Sequence, residues 1–412
     1  MRISWLPATL PCLLVLLPVF STGCADAGAR SHAVVRDSAG VSIVESAGPA
    51  WGEDEGWRVA AEPSVDIGVV EGDEAYQLHR VSDVDRLSDG TIVVAENTRL
   101  RFYDEEGRHL RDVGREGGGP GEFRWIQELQ VLPGDTLLVY DGRARRVSIL
   151  DPQGAVLTTA TPRTPDPLRP RSLLGRLDGR FTGVVIVPTE GDAEGFRRDT
   201  LLYVTYDDMG ALTDTLARGL GQEWFQRTTQ TATAGGGVIF NVEEGTIPFG
   251  RSLLHALGPK RLVLGQTDGW VLDVRGPDGA LQRSLRRTDA PPRPLSPDEL
   301  DRYVAWRLDN PRPSAQPARL EKTLRELRYP ETLPVFRALR LDSEGALWTE
   351  DFRFPWEEQP RWSVFDADGQ LLGHVETPAG LSVHAIGPDW VLGTWRDELD
   401  VEHVRLHRLE RR

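Results

Sequence analysis

A chain of 412 residues with 39% hydrophobic content can bury a large core, yet it is too long for one ordinary domain unless it is a repeat or a barrel. The formal charge of -15 argues against a nucleic-acid partner, because phosphate-backbone binders carry a basic stripe and this sequence has none. Lys260 and Lys322 are the only lysines; arginine supplies the other basic residues, a bias that suits bidentate carboxylate pairing and that a GC-rich genome also produces.

Residues 1–23 read as a signal peptide: Arg2, then an apolar run from Leu10 to Phe20 that is broken by Pro11 and Pro18 and is too short to span a bilayer. Two processing routes are open. Ser21-Thr22-Gly23-Cys24 resembles a bacterial lipobox, with Ser21 where the pattern prefers leucine, and would make Cys24 a lipidated N-terminus. Ala25-Asp26-Ala27 would instead release a soluble exported protein. Cys12 leaves with the signal, so no disulfide forms from Ala25 onward. Residues 24–40 are small and polar and read as a tether, and the folded body is expected over 41–410.

Val41 and Ile43, Trp57 and Val59, and Val65, Ile67 and Val69 alternate as in half-buried strands. A repeat then begins near His79. Its inner turn falls at Gly90, Gly134 and Gly179, and less regularly at Gly258, Gly345 and Gly387. Its outer turn, a hydrophobic residue followed by Asp-x-x-Gly, runs from Asp104 to Gly107, Asp151 to Gly154, Asp207 to Gly210 and Asp366 to Gly369, with a degenerate copy ending at Gly279. A period of about 40 to 50 residues with several short strands per repeat is the mark of a β-propeller, in which one repeat is one four-stranded blade. The fold class is therefore all-β. Six inner turns against five outer ones leave the last blade short of its outer strand. A strand from 41–69 is expected to fill that place, giving a six-bladed β-propeller closed by an N-terminal strand.

Gly179 to Gly258 and Gly258 to Gly345 exceed the period, so each interval holds an insertion. In the second, Ser296-Pro297-Asp298-Glu299 is a capping box with proline at the first helical position. A second helix is expected from about Ala315 to Arg328, making a short helical insertion near 296–328. The first, around Gly235-Gly236-Gly237, reads as loop with one strand at most.

Gly114-Arg115-Glu116-Gly117-Gly118-Gly119-Pro120-Gly121-Glu122-Phe123 resembles the linker of the bacterial six-bladed β-propeller proteins of the NHL-repeat-like group, and 397–405 is similar to the ends of those chains. The resemblance implies the fold and an exported, lipoprotein-type chain. It implies no activity, since one propeller scaffold hosts unrelated functions.

Connectivity separates two rims. The glycine turns share one; the loops between strands two and three, and between blades, share the other, where Glu96, Asn97, Asp141, Arg143, Asp268, Glu350, Asp351, Arg396, Asp397, Glu398, Arg115, Glu116 and Glu122 fall. Glu96, Asn97, Asp141 and Asp351 are the candidate metal ligands, with oxygens that would suit calcium. The alternative is that such acids are solvated or cap turns. His403 and His407 sit in a strand, where a spacing of four is roughly 13 Å at about 3.3 Å per residue, too far for one metal. Trp348, Trp362, Trp390 and Trp395 are expected to pack between blades. No nucleophile elbow, phosphate loop or HExxH motif occurs.

These features lead to a monomeric, non-catalytic binding propeller of the cell envelope, held to the membrane by lipid alone and presenting its loop-rich rim to an envelope protein or a glycan. The rival is a metal-dependent hydrolase or lyase of the lactonase-like propeller kind, using the four candidate ligands and calcium. A third reading is a structural part of an envelope assembly that docks through the helical insertion.

Overall fold

The computed structural model describes residues 33–52, 55–188, 195–232, 238–311 and 317–411. The signal segment, Cys24, residues 235–237 and Ala315 lie outside them. The described residues form six sheets, taken in chain order as blade 1 (81–113), blade 2 (126–160), blade 3 (169–246), blade 4 (253–287), blade 5 (336–376) and blade 6 (382–410). Strands within each repeat are antiparallel neighbours in sequence order.

The second strand of each blade shows why the ring forms. Ile92–Glu96 and Leu137–Asp141 are continuous apolar runs ending in an acid, because a blade is buried on both faces. Alternate residues serve opposite neighbours. Ile92 and Val94 join the core shared with blade 6, while Val93 and Ala95 join Leu137 and Val139 in the core shared with blade 2. Leu138 and Tyr140 then face Phe181 and Val204 of blade 3. Six such clusters fill the six gaps, and the cluster between blades 6 and 1 closes the circle. This is a β-propeller, as the repeat implies. Trp348 and Trp362 are buried between blades 5 and 6, and Trp395 packs beside them.

The outer turns share one construction. The carboxylates of Asp104, Asp151, Asp207 and Asp366 each accept the backbone N–H groups two and four residues ahead, at 2.8 to 3.1 Å. The glycines that follow, with Gly279, have φ between +79° and +92°. They are also pressed against the outer strand region of the preceding blade. A Cβ on Gly107 would lie 2.7 Å from Val65 and one on Gly154 2.5 Å from Val113; Gly210, Gly279 and Gly369 face Thr161, Leu216 and Leu285 just as closely.

Blade 6 takes its outer strand from the start of the chain. Strands β1 (Ala33–Ser38), β2 (Val41–Ser46), β3 (Arg58–Val59) and β4 (Val65–Ile67) precede blade 1. β4 supplies the expected closure, with Val65 opposite Leu406 and Ile67 opposite Val404. Asp66 holds His403 at 2.7 Å and Arg405 at 2.9 Å. His407 donates through Nδ1 to Ala60 O, 2.9 Å away, so both histidines serve the strand pairing.

The remainder of this segment corrects the sequence reading. Residues 33–40, expected in the tether, form β1 and its turn. β2 adds in parallel to the outer strand of blade 4, making a six-stranded sheet. Trp51 then reaches blade 5, where its N–H donates to Leu372 O at 2.8 Å, and Trp57 lies 5.7 Å from Trp348. One strand was anticipated; a belt across blades 4, 5 and 6 is found.

Both insertions rise from the same sector. The capping box at Ser296 starts α1 (Pro297–Asp309), and α2 (Pro317–Glu326) follows. The first insertion is an arm and not the anticipated loop: the outer strand of blade 3 runs from Leu212 to Ala232, and Val238–Thr246 returns beside it.

Glycine at the outer turn makes a sharp prediction. Gly154→Ala adds a clash to left-handed strain and should cost about 2–4 kcal/mol, whereas Gly134→Ala, with φ +82° but open space around it, should cost about 1–2 kcal/mol. Urea unfolding of the two variants compares them directly.

Candidate functional site

The structure does not bring Glu96, Asn97, Asp141 and Asp351 together. Glu96 is buried in blade 1, where its carboxylate accepts His79 N–H at 2.8 Å and pairs with Arg101 at 2.7 Å. Asn97 sits in a turn at φ +50° and donates to His79 O. Asp141, fully buried in blade 2, accepts four backbone N–H groups, from Arg124, Trp125, Arg143 and Ala144. Asp351 in blade 5 accepts Ser363 Oγ at 2.6 Å and Arg361 Nε at 2.7 Å. A carboxylate offers about four lone-pair sites, and those of Asp141 are filled by the chain itself. Among the described residues no group of three or more His, Cys, Asp or Glu is arranged to hold a metal.

Other rim residues are likewise turned inward. Glu122 accepts Gly118 and Gly119 N–H and Arg115, which together hold its carboxyl below the usual range, and Phe123 beside it is buried between blades 1 and 2. The glycine-rich linker is thus a knot that seats Phe123. Asp397 accepts Leu399 and Val401 N–H. Arg337 and Arg353 flank Glu350 at 3.6 and 3.4 Å.

What sequence reasoning missed is the channel wall. The innermost strands are Val81–Arg86, Ile126–Val131, Arg169–Leu177, Leu253–Leu257, Phe336–Leu341 and Ser382–Ile386. Five of them carry an extra residue in the ladder, at Ser82, Gln127, Arg171, Arg337 and His384. Such bulges bend a strand and re-aim its side chains.

Every inner strand also supplies an ionisable residue to one electrostatic neighbourhood. His384 Nδ1 lies 2.8 Å from Asp83, whose other oxygen accepts Leu129 N–H of blade 2. Asp85 accepts Val131 N–H at 2.7 Å, yet burial pushes its carboxyl up to about 7. Burial, reinforced by Asp83, pushes Glu128 up to about 8 against the pull of Arg340. His255 is pushed down to about 4 by burial and then by Arg340 and Arg171; its Nδ1 lies 3.3 Å from Tyr203 Oη. Arg340 Nε donates to Val383 O, tying blade 5 to blade 6. The signal was present in the sequence, as an ionisable residue a few positions before each inner glycine turn.

The third feature is the covered sector of the rim. Phe249, just before blade 4, meets Tyr303 of α1 at 4.6 Å, Phe354 at 5.5 Å and Phe352 at 5.9 Å. It does so at φ +62°, a conformation that persists in an aromatic residue only where its surroundings fix it. Trp356 stacks on Phe354 at 4.6 Å and takes the Arg302 guanidinium on its ring. Arg227 of the blade 3 arm pairs with Glu326 of α2, so the two insertions are joined.

The fold and these sites define a β-propeller. No family model and no curated protein matches the chain. Among solved structures it is similar to a protein from Bacteroides fragilis described as exported, at 11% identity and TM-score 0.46, covering 90% of this chain and 99% of that one. It is also similar to a member of the DUF4221 family from Bacteroides vulgatus, at 13% identity and TM-score 0.45, covering 87% and 100%. A third likeness is to virginiamycin B lyase from Staphylococcus aureus, at 10% identity and TM-score 0.36, covering 86% and 99%. At these values no function passes to this chain, and the fold class rests on its own six sheets and their closure. No helix of the described residues is long and apolar enough to cross a membrane.

Two predictions follow from the carboxylates. Asp141→Ala strands four backbone donors and should lower stability by about 2–4 kcal/mol in chemical denaturation. Glu128→Gln should do the opposite. A carboxyl whose folded value is raised has the same protonation in both states below the unfolded value near 4.5; as pH rises toward 8 only the unfolded chain ionises, and stability falls. The variant should therefore gain about 1–3 kcal/mol at pH 8 and nothing at pH 4, read from melting curves across that range.

Proposed function

We propose that the chain is a non-catalytic binding propeller of the cell envelope, exported and anchored through lipid at Cys24, that engages a partner on the rim above blades 3 to 5. The observation that carries this reading is the placement of the excess sequence. Both departures from the repeat period rise on one rim, and the ion pair Arg227–Glu326 and the rings around Phe249 make them one platform. Packing of this kind gives a rigid surface, which lowers the entropic cost of docking.

A protein is favoured over a glycan. The arm ends its sheet with Val238–Thr246, and that strand has no further neighbour among the described residues. An open strand edge accepts an extended segment of another chain through main-chain hydrogen bonds. The metal-dependent hydrolase or lyase reading has no comparable support, because its four ligands lie in three blades and are bonded within the chain.

The test uses residues 28–412 as bait against envelope extract and against a glycan array, beside a variant whose arm is shortened by replacing 226–244 with a short turn. The expected outcome is a protein retained by the full chain and lost from the variant, with the melting temperature of the propeller nearly unchanged. Retention equal in both would remove the rim reading; an arm-dependent glycan signal alone would move the partner to carbohydrate.

A further inference from the structure

We infer that the channel wall holds a second site, for a small zwitterion of the amino acid or short peptide class, with Glu128 facing its ammonium and Arg340 and Arg171 its carboxylate. This goes beyond the rim reading and does not depend on it.

The wall is divided by sign. Blades 1 and 2 bring Asp83, Asp85 and Glu128; blades 3 and 5 bring Arg171 and Arg340, with His255 of blade 4 between them. Most of the acids are already satisfied: Asp83 by His384 and Leu129 N–H, Asp85 by the N–H groups of Val131 and Arg86. Glu128 is different. It is half-buried, and its side chain has neither a hydrogen bond nor an ion pair among the described residues. The guanidiniums are also unmatched. Among the described residues Arg340 spends Nε and Nη1 on the carbonyls of Val383 and Leu339 and has no carboxylate partner, and Arg171, lifted out of register at its bulge, has no partner.

Blades 2 and 5 are three apart in a ring of six, so Glu128 and Arg340 stand on opposite walls of the channel. Each feels the other's charge without touching it. A guanidinium prefers the two-pronged bond to a carboxylate, which neither arginine has among the described residues. A ligand carrying only one sign would leave the other wall unmet. His255, held neutral beside Tyr203, adds no charge to the basic side. The groups facing Glu128 are Asp83, Tyr140 and Arg340, and an arriving ammonium would favour its ionised form, so binding near neutral pH should release a proton.

The experiment is calorimetric titration of residues 28–412 at pH 7 with glycine, diglycine and triglycine, and with glycinamide and N-acetylglycine as single-charge controls. At least one zwitterion should bind, with both controls weaker by about tenfold or more. Its heat should change between buffers of different ionisation enthalpy, reporting the released proton. Glu128→Gln and Arg171→Ala should each weaken binding by about tenfold or more, and the buffer dependence should vanish in Glu128→Gln. Both substitutions should leave the fold intact, since one removes an unpaired acid and the other an exposed, unbonded side chain, and melting curves verify this. No zwitterion binding at millimolar concentration, equal binding of a single-charge control, or undiminished binding in both variants would overturn the proposal.

Discussion

The ring depends on one close approach, that of the outer turn in each of blades 1 to 5 to the outer strand region of the blade before it. A side chain at Gly107, Gly154, Gly210, Gly279 or Gly369 would occupy space already filled by Val65, Val113, Thr161, Leu216 or Leu285. At all of these but Gly279, an aspartate upstream fixes the turn that carries the glycine there, using its carboxylate on two backbone N–H groups. One short motif therefore sets both the local bend and the spacing between blades. The six apolar clusters then fill the gaps between successive sheets.

This arrangement sorts the acids of the chain into two populations. Those at turns and strand ends, such as Asp104, Asp141 and Asp366, face main-chain donors and are consumed in shaping the fold. Those on the inner strands are met across the gaps to neighbouring blades, by the N–H groups of Leu129 and Val131 at Asp83 and Asp85 and by the His384 side chain at Asp83. Where no donor reaches, as at Glu128, burial favours the neutral carboxyl instead. Arginine has a wider use than carboxylate pairing alone, since Arg405, Arg287 and Arg411 lie over Trp395, Trp270 and Trp57.

Much of the fold was legible because its determinants are local. Asp151 to Gly154 is a turn wherever it occurs, and Ser296 with Glu299 caps a helix without outside help. The ring closure at Val65 to Ile67 was readable from a missing strand. The attachment of Val41–Ser46 to blade 4 was not, because a parallel pairing with Leu281–Arg287 leaves no spacing signal across some 240 residues. The arm was read as loop because the glycines at 235–237 masked the strands flanking them. The metal candidates raise a different point. Glu96 and Asp141 do stand at equivalent strand ends, but sequence does not reveal whether a carboxylate faces solvent or the N–H groups of the next segment. Residues of the channel wall, such as Glu128 and Arg340, lie on separate repeats and meet only when the circle is complete.

The belt that runs over blades 4, 5 and 6 joins the beginning of the described chain to its end, with Ile67 beside Val404 and Ser46 beside Arg287. Contacts of such sequence separation raise contact order and slow folding. β1 and β2 pair with each other, but none of the belt strands can dock on the ring until the last three blades exist, so the N-terminal segment waits as a partly apolar tail. Assembly must then finish at the seam, and the first residues of the body are among the last to become structured.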